Sequence, residues 1–325
     1  MRTRIQDLLG PLDPMRDEPA VQPPPLPPRP AFERSAPSRG RWLLAGATVT
    51  AAVVGLLAYQ AAGPTTPQGT AATPAPLVIT APATATPAAQ RLTELAQRAR
   101  TSGVPQPTGT TEYIELRAWY LNSQTSEDNT VSAVVPEIHR TWANPDGSGR
   151  AESEQAEPEF RNDADRAEWD GPTTSTDTDS WGPGERPSAF GTGRPPIDPD
   201  ALAQYLHRPN PPDAIGPVKT LVALQDLLRD RVLTPTERAA ALNLLAQLPD
   251  ITYQGTTTDR TGRTADAFSL DSAYGGLPAR YTLLIAPDTG VILGNEEMLT
   301  SAAGKLNVTI PAVVEYETYV RAEFQ

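Results

Sequence analysis

The sequence predicts an α+β fold: a curved, half-barrel-like antiparallel sheet packed on several helices, preceded by one transmembrane helix. Three observations carry the prediction. Stretches of strand alternation turn back on themselves through Asp- and Gly-bearing turns at 141–150, 258–263 and 286–290. Between the first of these turns and the other two lies a block of helical periodicity, from Asp198 to Leu248. Upstream, Trp42 to Ala62 is an uncharged run long enough to cross a bilayer.

Composition narrows the chemistry. The chain has 325 residues and no cysteine, which removes disulfides, thiolate nucleophiles and Cys-ligated metals. With only His139 and His207, a His-rich metal site is excluded as well. The 36 prolines, about twice the usual share, exceed what a compact fold uses, so part of the chain is expected to stay unpacked. The net charge of −12 argues against nucleic acid as a partner. The bias toward Arg, Ala, Pro and Thr suggests a GC-rich bacterial genome.

Residues 1–41 read as a disordered, Pro-rich cytoplasmic tail, with PPPLPPRP at 23–30 as a stiff polyproline spacer. Residues 42–62 read as an uncleaved transmembrane helix that binds the lipid bilayer. Arg39 and Arg41 flank it, and Trp42 and Tyr59 sit where interfacial aromatics belong. Seven arginines precede this run, and no Arg or Lys follows it until Arg91. The positive-inside rule therefore places the N-terminus in the cytoplasm and the rest outside the cell membrane. The tail carries +2 and the remainder −14, which also disfavours docking on anionic lipid. Residues 63–86 read as a Pro/Thr/Ala tether that need not pack.

The outer domain is expected over 87–325. Thr86-Pro87 opens a helix with Leu92, Leu95 and Ala99 on its buried face. TEYIELRAWYLN at 111–122 alternates Ile114, Leu116, Ala118 and Tyr120 with Tyr113, Glu115, Arg117 and Trp119, which is strand periodicity. EIHRTWA at 137–143 puts Ile138, Arg140 and Trp142 on one face and runs into TWANPDGSGR, read as a hairpin turn rather than a catalytic loop. Asp198-Pro199 caps a short helix, a second spans 217–231, and Thr234-Pro235-Thr236-Glu237 is a capping box opening a third. Residues 308–324 close the chain as a long strand or a pair broken near Pro311. Residues 152–196, acidic and then rich in Thr, Ser, Asp, Gly and Pro, read as a mobile insertion.

The Arg-flanked span, TEYIELRAW, WANPDGSGR, DPDALAQYL, DRTGR and APDTGVILG together resemble an uncharacterised actinobacterial family of single-pass membrane proteins. The outer domain of that family is similar in layout to the LolA/RseB-like half-barrel. The resemblance implies one of two functions. One is sensing of envelope state, relayed to a membrane-bound sigma-factor regulator. The other is carriage of lipid or lipoprotein. The tail here is too short for a folded sigma-binding domain. The residues show no catalytic constellation, so the leading reading is a membrane-anchored binding or signalling module without cofactor, partnered by a membrane or envelope protein. The alternative is a lipid-binding carrier, with Trp119, Trp142, Tyr253, Phe268 and Tyr281 as its apolar ligand face if they point inward.

Overall fold

The computed structural model describes residues 73–325, apart from 102–108, 126–128, 172, 192 and 210–215. The tail, the 42–62 run and its flanking Arg39, Arg41, Trp42 and Tyr59 lie outside the described residues. Among the described residues, no helix is long and apolar enough to cross a membrane.

Helix α1 (Ala88–Thr101) leads into β1 (Glu112–Thr125), β2 (Thr130–Ala143) and β3 (Gly149–Gln155). Then come β4 (Glu159–Phe160), α2 (Asp163–Glu168) and β5 (Ser175–Trp181). A helical block follows: α3 (Pro199–Leu206), α4 (Val218–Asp230) and α5 (Pro235–Leu245). Five strands complete the chain: β6 (Thr252–Thr258), β7 (Thr264–Ser272), β8 (Ala279–Ile285), β9 (Ile292–Leu299) and β10 (Ala312–Phe324). The class is α+β. All ten strands join one antiparallel sheet in the order β5-β3-β2-β1-β10-β9-β8-β7-β6, with β4 beside β2.

Local chemistry explains the elements. Asp198 accepts a hydrogen bond from the Ala201 N–H and caps α3 ahead of Pro199. At α5, Thr234 and Glu237 form the reciprocal capping box. In the TWANPDGSGR turn, Gly147 takes φ +81°, and Asp146 accepts from the Ser148 N–H and hydroxyl. That stretch joins β2 to β3 as a hairpin turn.

One face of the sheet carries the core. Leu92, Leu95, Leu206, Leu242 and Leu245 of the helices pack with Phe268, Leu283 and Ile285 of the strands. Further along, Val218, Leu221 and Val222 of α4 meet Leu270, Tyr281, Leu299 and Ala312. Near the far end of α4, Ile114, Leu116, Val232 and Tyr319 form a third cluster.

Three expectations need correction. The sheet is open and uncurled rather than a half-barrel, since its path ends at β5 and β6, which do not pair with each other. Residues 73–86 are not simply an unpacked tether. Leu77 and Ile79 lie on the face opposite the helices, against Ala265, Ala267, Leu284 and Leu293, and Thr80 pairs with Thr256 on β6. The short alternation in LVIT is a strand-like signal hidden among prolines. Residues 152–196, read as an insertion, contain the end of β3, β4, α2 and β5. Strand β5 is solvent-exposed along nearly its whole length, so it needs no apolar alternation and gives none. Beyond it, Phe190 is buried and stacks on Tyr205 at 5.4 Å.

The same segment is fastened by charge. Glu112 at the start of β1 accepts hydrogen bonds from Arg194 at 2.9 Å, Arg231 at 3.3 Å and Arg186 at 3.4 Å, and from the Val232 N–H at 2.8 Å. Arg194 also pairs with Glu237 of the capping box. Loop, strand and helix block thus meet at one buried carboxylate.

Candidate functional site: the open face of strands β10, β1, β2 and β3

Alternation fixes what this face presents. Ile114 and Leu116 point to the helices, so Tyr113, Glu115, Arg117 and Trp119 point the other way. Register places Trp142 opposite Tyr113, Ile138 opposite Arg117, and Pro136 opposite Trp119. On the next strand Arg150 stands opposite Trp142, and on the other side Tyr316 stands opposite Trp119.

Two rows result. In the first, Arg150 covers the Trp142 ring at 4.0 Å, Trp142 lies 5.0 Å from Tyr113, and Arg321 approaches Tyr113 at 5.1 Å. The row runs cation, ring, ring, cation across β3, β2, β1 and β10. In the second, Trp119 and Tyr316 are 5.3 Å apart and Arg260 caps Tyr316 at 4.3 Å. Between the rows, Arg140 bonds Glu154 at 2.9 Å across β2 and β3, and Arg117 lies 3.6 Å from Glu115 on its own strand. A cavity of about 560 Å³ opens here, lined by Arg117, Trp119, Pro136, Ile138, Glu154 and Thr176 among others. Its mixture of a ring, aliphatic surface, charges and hydroxyls suits a polypeptide better than a lipid tail.

The other half of the same face is covered. Residues 75–80 run across it as a strap. Thr80 exchanges hydrogen bonds with Thr256 at 2.7 and 3.0 Å, and the Thr257 hydroxyl donates to the Val78 carbonyl at 2.8 Å. Gly255, at φ +119°, permits the approach, because a Cβ there would lie 2.0 Å from the Thr80 carbonyl oxygen. At the other end, Arg260 donates to the Ala75 carbonyl at 2.9 Å and pairs with Glu296, and the Leu77 N–H donates to Glu296 at 3.4 Å. Burial pushes the Glu296 carboxyl above its ordinary range, against the pull of Arg260.

The five aromatics expected to share a ligand face divide between the two sides. Trp119 and Trp142 lie on the open face, half-buried. Phe268 and Tyr281 are buried beneath the helices, and Tyr253 packs against the same core with its hydroxyl donating to Asp266 at 2.9 Å. The correction has a physical cause: alternation within one strand cannot relate faces across a sheet whose pairing shifts at four bulges. His139 lies on the side away from Trp142 and meets Glu137 at 2.8 Å. Arg140 reaches Glu154 on β3, so β2 carries one polar pair on each face.

Sequence reasoning passed over Tyr316 and Arg260, which complete the second row. It also passed over Glu297, Glu315 and Glu317, which sit on the helix side under α4. The signal for the last two was visible as VVEYETYV, two acids spaced by two in an apolar strand.

The arrangement defines an α+β protein with a two-sided sheet: one side is a closed core, and the other is half strapped and half bare. No family model and no curated protein matches the chain.

Proposed function

We propose that residues 73–325 are the extracytoplasmic binding domain of a single-pass membrane protein, anchored through 42–62 with its N-terminus in the cytoplasm. Its role is binding and signalling rather than catalysis. The bare half of the open face receives an extended segment of an envelope protein, and occupancy is relayed through the anchor. This agrees with the envelope-sensing role that the resemblance implies. The observation that carries the reading is the contrast between the halves of one face. Residues 75–80 already show how an extended segment lies on it, and the rows of Trp119 and Trp142 continue that surface without a covering segment among the described residues. Aromatic and Arg side chains are the usual anchors of protein interfaces.

Carriage of lipid finds less support. Phe268 and Tyr281, two of the residues expected to hold an apolar ligand, are packed under α1, α3, α4 and α5. A half-barrel enclosing a ligand would need the two ends of the sheet to approach, whereas the path ends at β5 and β6, which do not pair.

The test is a photo-crosslinking residue at Ile138 in the full-length protein in its native membrane. One specific protein adduct, lost in the Trp119→Ala background, is expected. Adducts that are absent, or identical from a control position such as Asp271, would refute it. Topology is checked separately, because the chain has no cysteine to interfere. A membrane-impermeant maleimide should label Thr174→Cys in intact cells and leave Ser38→Cys unlabelled until lysis.

A further inference from the structure

A second constellation lies on the helix side. Strand register sets Tyr281, Glu297, Glu315 and Tyr120 in one row across β8, β9, β10 and β1. One step along β10, Glu317 stands between Asn295 and Ala118. Helix α4 packs over these positions and contributes Asp226 and a single guanidinium, Arg229. That group reaches Glu317 at 2.7 Å, Asp226 at 2.8 Å and Glu315 at 3.2 Å. Tyr120 donates to Glu317 at 2.5 Å and Tyr281 to Glu297 at 3.1 Å. Tyr319 turns its hydroxyl to the Gln225 carbonyl instead, at 3.4 Å. Lys219, on the first turn of α4, is spent on Tyr274, its Nζ lying 3.5 Å from the hydroxyl and 5.1 Å from the ring.

Four carboxyls therefore face one cation. Burial makes such an excess of negative charge costly unless some of it is neutralised. The Glu317 side chain is fully buried, and neither its Oε2 nor the Oδ1 of the cross-strand Asn295 has a hydrogen-bond partner. Acceptors thus outnumber donors across the cluster. Glu315 keeps 22% of its side chain accessible, so a proton can exchange with solvent without unfolding.

We propose that this cluster is a proton-binding site, in which Glu297 and Glu315 hold protons in mildly acidic surroundings and release them as the solvent turns alkaline, loosening α4 from β10. No covalent bond changes; two carboxylic acids become carboxylates and the protons leave to water. Burial lifts Glu297 to about 7. Burial first, then the charge of Glu317, lifts Glu315 well above the carboxylate range in spite of Arg229. The sign follows from linkage: the folded state binds more protons than the unfolded chain, so the contribution is complete below the ordinary value of 4.5 and is lost as pH rises through about 7 and beyond. The inference goes beyond the open-face reading and stands whether or not a partner binds there.

The experiment is a carbon-13 NMR titration of the glutamate carboxyls in the full-length protein between about pH 4 and 9.5, a range spanning the shifted and unshifted values. Two resonances with midpoints above about 6.5 are expected, one missing in Glu297→Gln and the other in Glu315→Gln. Hydrogen exchange along Val218–Asp230, corrected for intrinsic rates, should then rise at least about tenfold from pH 6 to 9 in the wild type and far less in the double variant. If every glutamate carboxyl titrates below about 5.5, the proposal fails, and the wild type alone decides this even if a variant does not fold. Unchanged α4 protection would overturn the loosening step.

Discussion

Trp119 on β1 and Tyr316 on β10 meet ring to ring at 5.3 Å, and the pair marks the boundary between the strapped and the bare halves of the open face. Arg260 lies over Tyr316 on one side of that boundary and holds the Ala75 carbonyl and Glu296 on the other. One guanidinium thus joins the strap to the aromatic row. Removing it leaves Glu296, whose carboxyl is buried, without its cation. Arg260→Ala is expected to lower stability by about 2–4 kcal/mol, somewhat under the about 3–5 kcal/mol of an orphaned buried charge, because Glu296, already raised by burial, can take up a proton. Limited proteolysis should cut near 73–81 faster than in the wild type. Equal cutting rates would mean that Leu77, Ile79 and the Thr80–Thr256 and Thr257–Val78 hydrogen bonds hold the strap without Arg260.

Gly255 tests the other end. Alanine there meets the Thr80 carbonyl oxygen at 2.0 Å and must also adopt φ +119°. A loss of about 2 kcal/mol or more in urea unfolding is expected, with the Thr80–Thr256 contact broken. The φ strain acts with or without the strap, so deleting residues 73–81 provides the comparison. In that background Gly255→Ala should cost clearly less. The same cost in both would show that strain alone is at work.

Glu112 is the place where the segment beyond β5 is fastened to the sheet. Its carboxylate serves three guanidiniums and the Val232 N–H. Glu112→Gln keeps the shape and removes the charge, leaving Arg186 and Arg231 nearly buried beside a neutral amide. A loss of about 3–5 kcal/mol is expected. Faster hydrogen exchange over 186–194 would locate the damage. A loss below about 1 kcal/mol would show that Asp230 and Glu237 carry the network without it.

Much of this architecture was legible because its signals are local. The Thr234–Glu237 box, the Asp198 cap, the Asp-Gly turn at 146–147 and the alternation of Ile114, Leu116 and Ala118 each depend on neighbours a few residues apart. What was hidden depends on distant ones. Arg229 meets Glu315 and Glu317 from 86 and 88 residues away, so no spacing rule connects them. The five aromatics could not be sorted by face, because the bulge between Tyr253 and Gly255 and the other shifts break the count from strand to strand. The β3–β5 pair was hidden for a different reason: β5 is exposed on both sides, and polar exposed strands look like loops.

On the bare half, Trp119 is predicted to matter more for binding than for folding. It is half-buried and leans on Tyr316, so Trp119→Ala should cost about 1–2 kcal/mol of stability. Crosslinking from Ile138 should fall at least about tenfold under conditions where the variant is folded by circular dichroism. Undiminished crosslinking would move the binding surface away from the second row and toward Trp142 and Arg150.

The acid limb of stability is predicted to rest in part on Asp259, in the TDRTGR turn. Burial alone would raise its carboxyl. The Arg263 N–H at 2.8 Å, the Arg263 guanidinium at 2.7 Å and the Thr261 N–H and hydroxyl at 2.9 Å more than offset that, so the group sits below its ordinary value of 3.8. A depressed carboxylate binds fewer protons when folded than when unfolded. Its stabilisation is therefore present above the ordinary value and lost as pH falls through the folded one. Asp259→Asn presents an amide N–H to the Arg263 guanidinium where an acceptor is required. At pH 7 the variant should be less stable by about 1–3 kcal/mol, the penalty for a lost charge-assisted contact. The gap to the wild type should narrow as pH drops below about 4, because the wild type then loses the same charge. Thermal midpoints of both proteins between pH 2 and 7 measure this. A gap that stays constant across that range would mean the turn is held by its backbone and Gly262, not by the carboxylate.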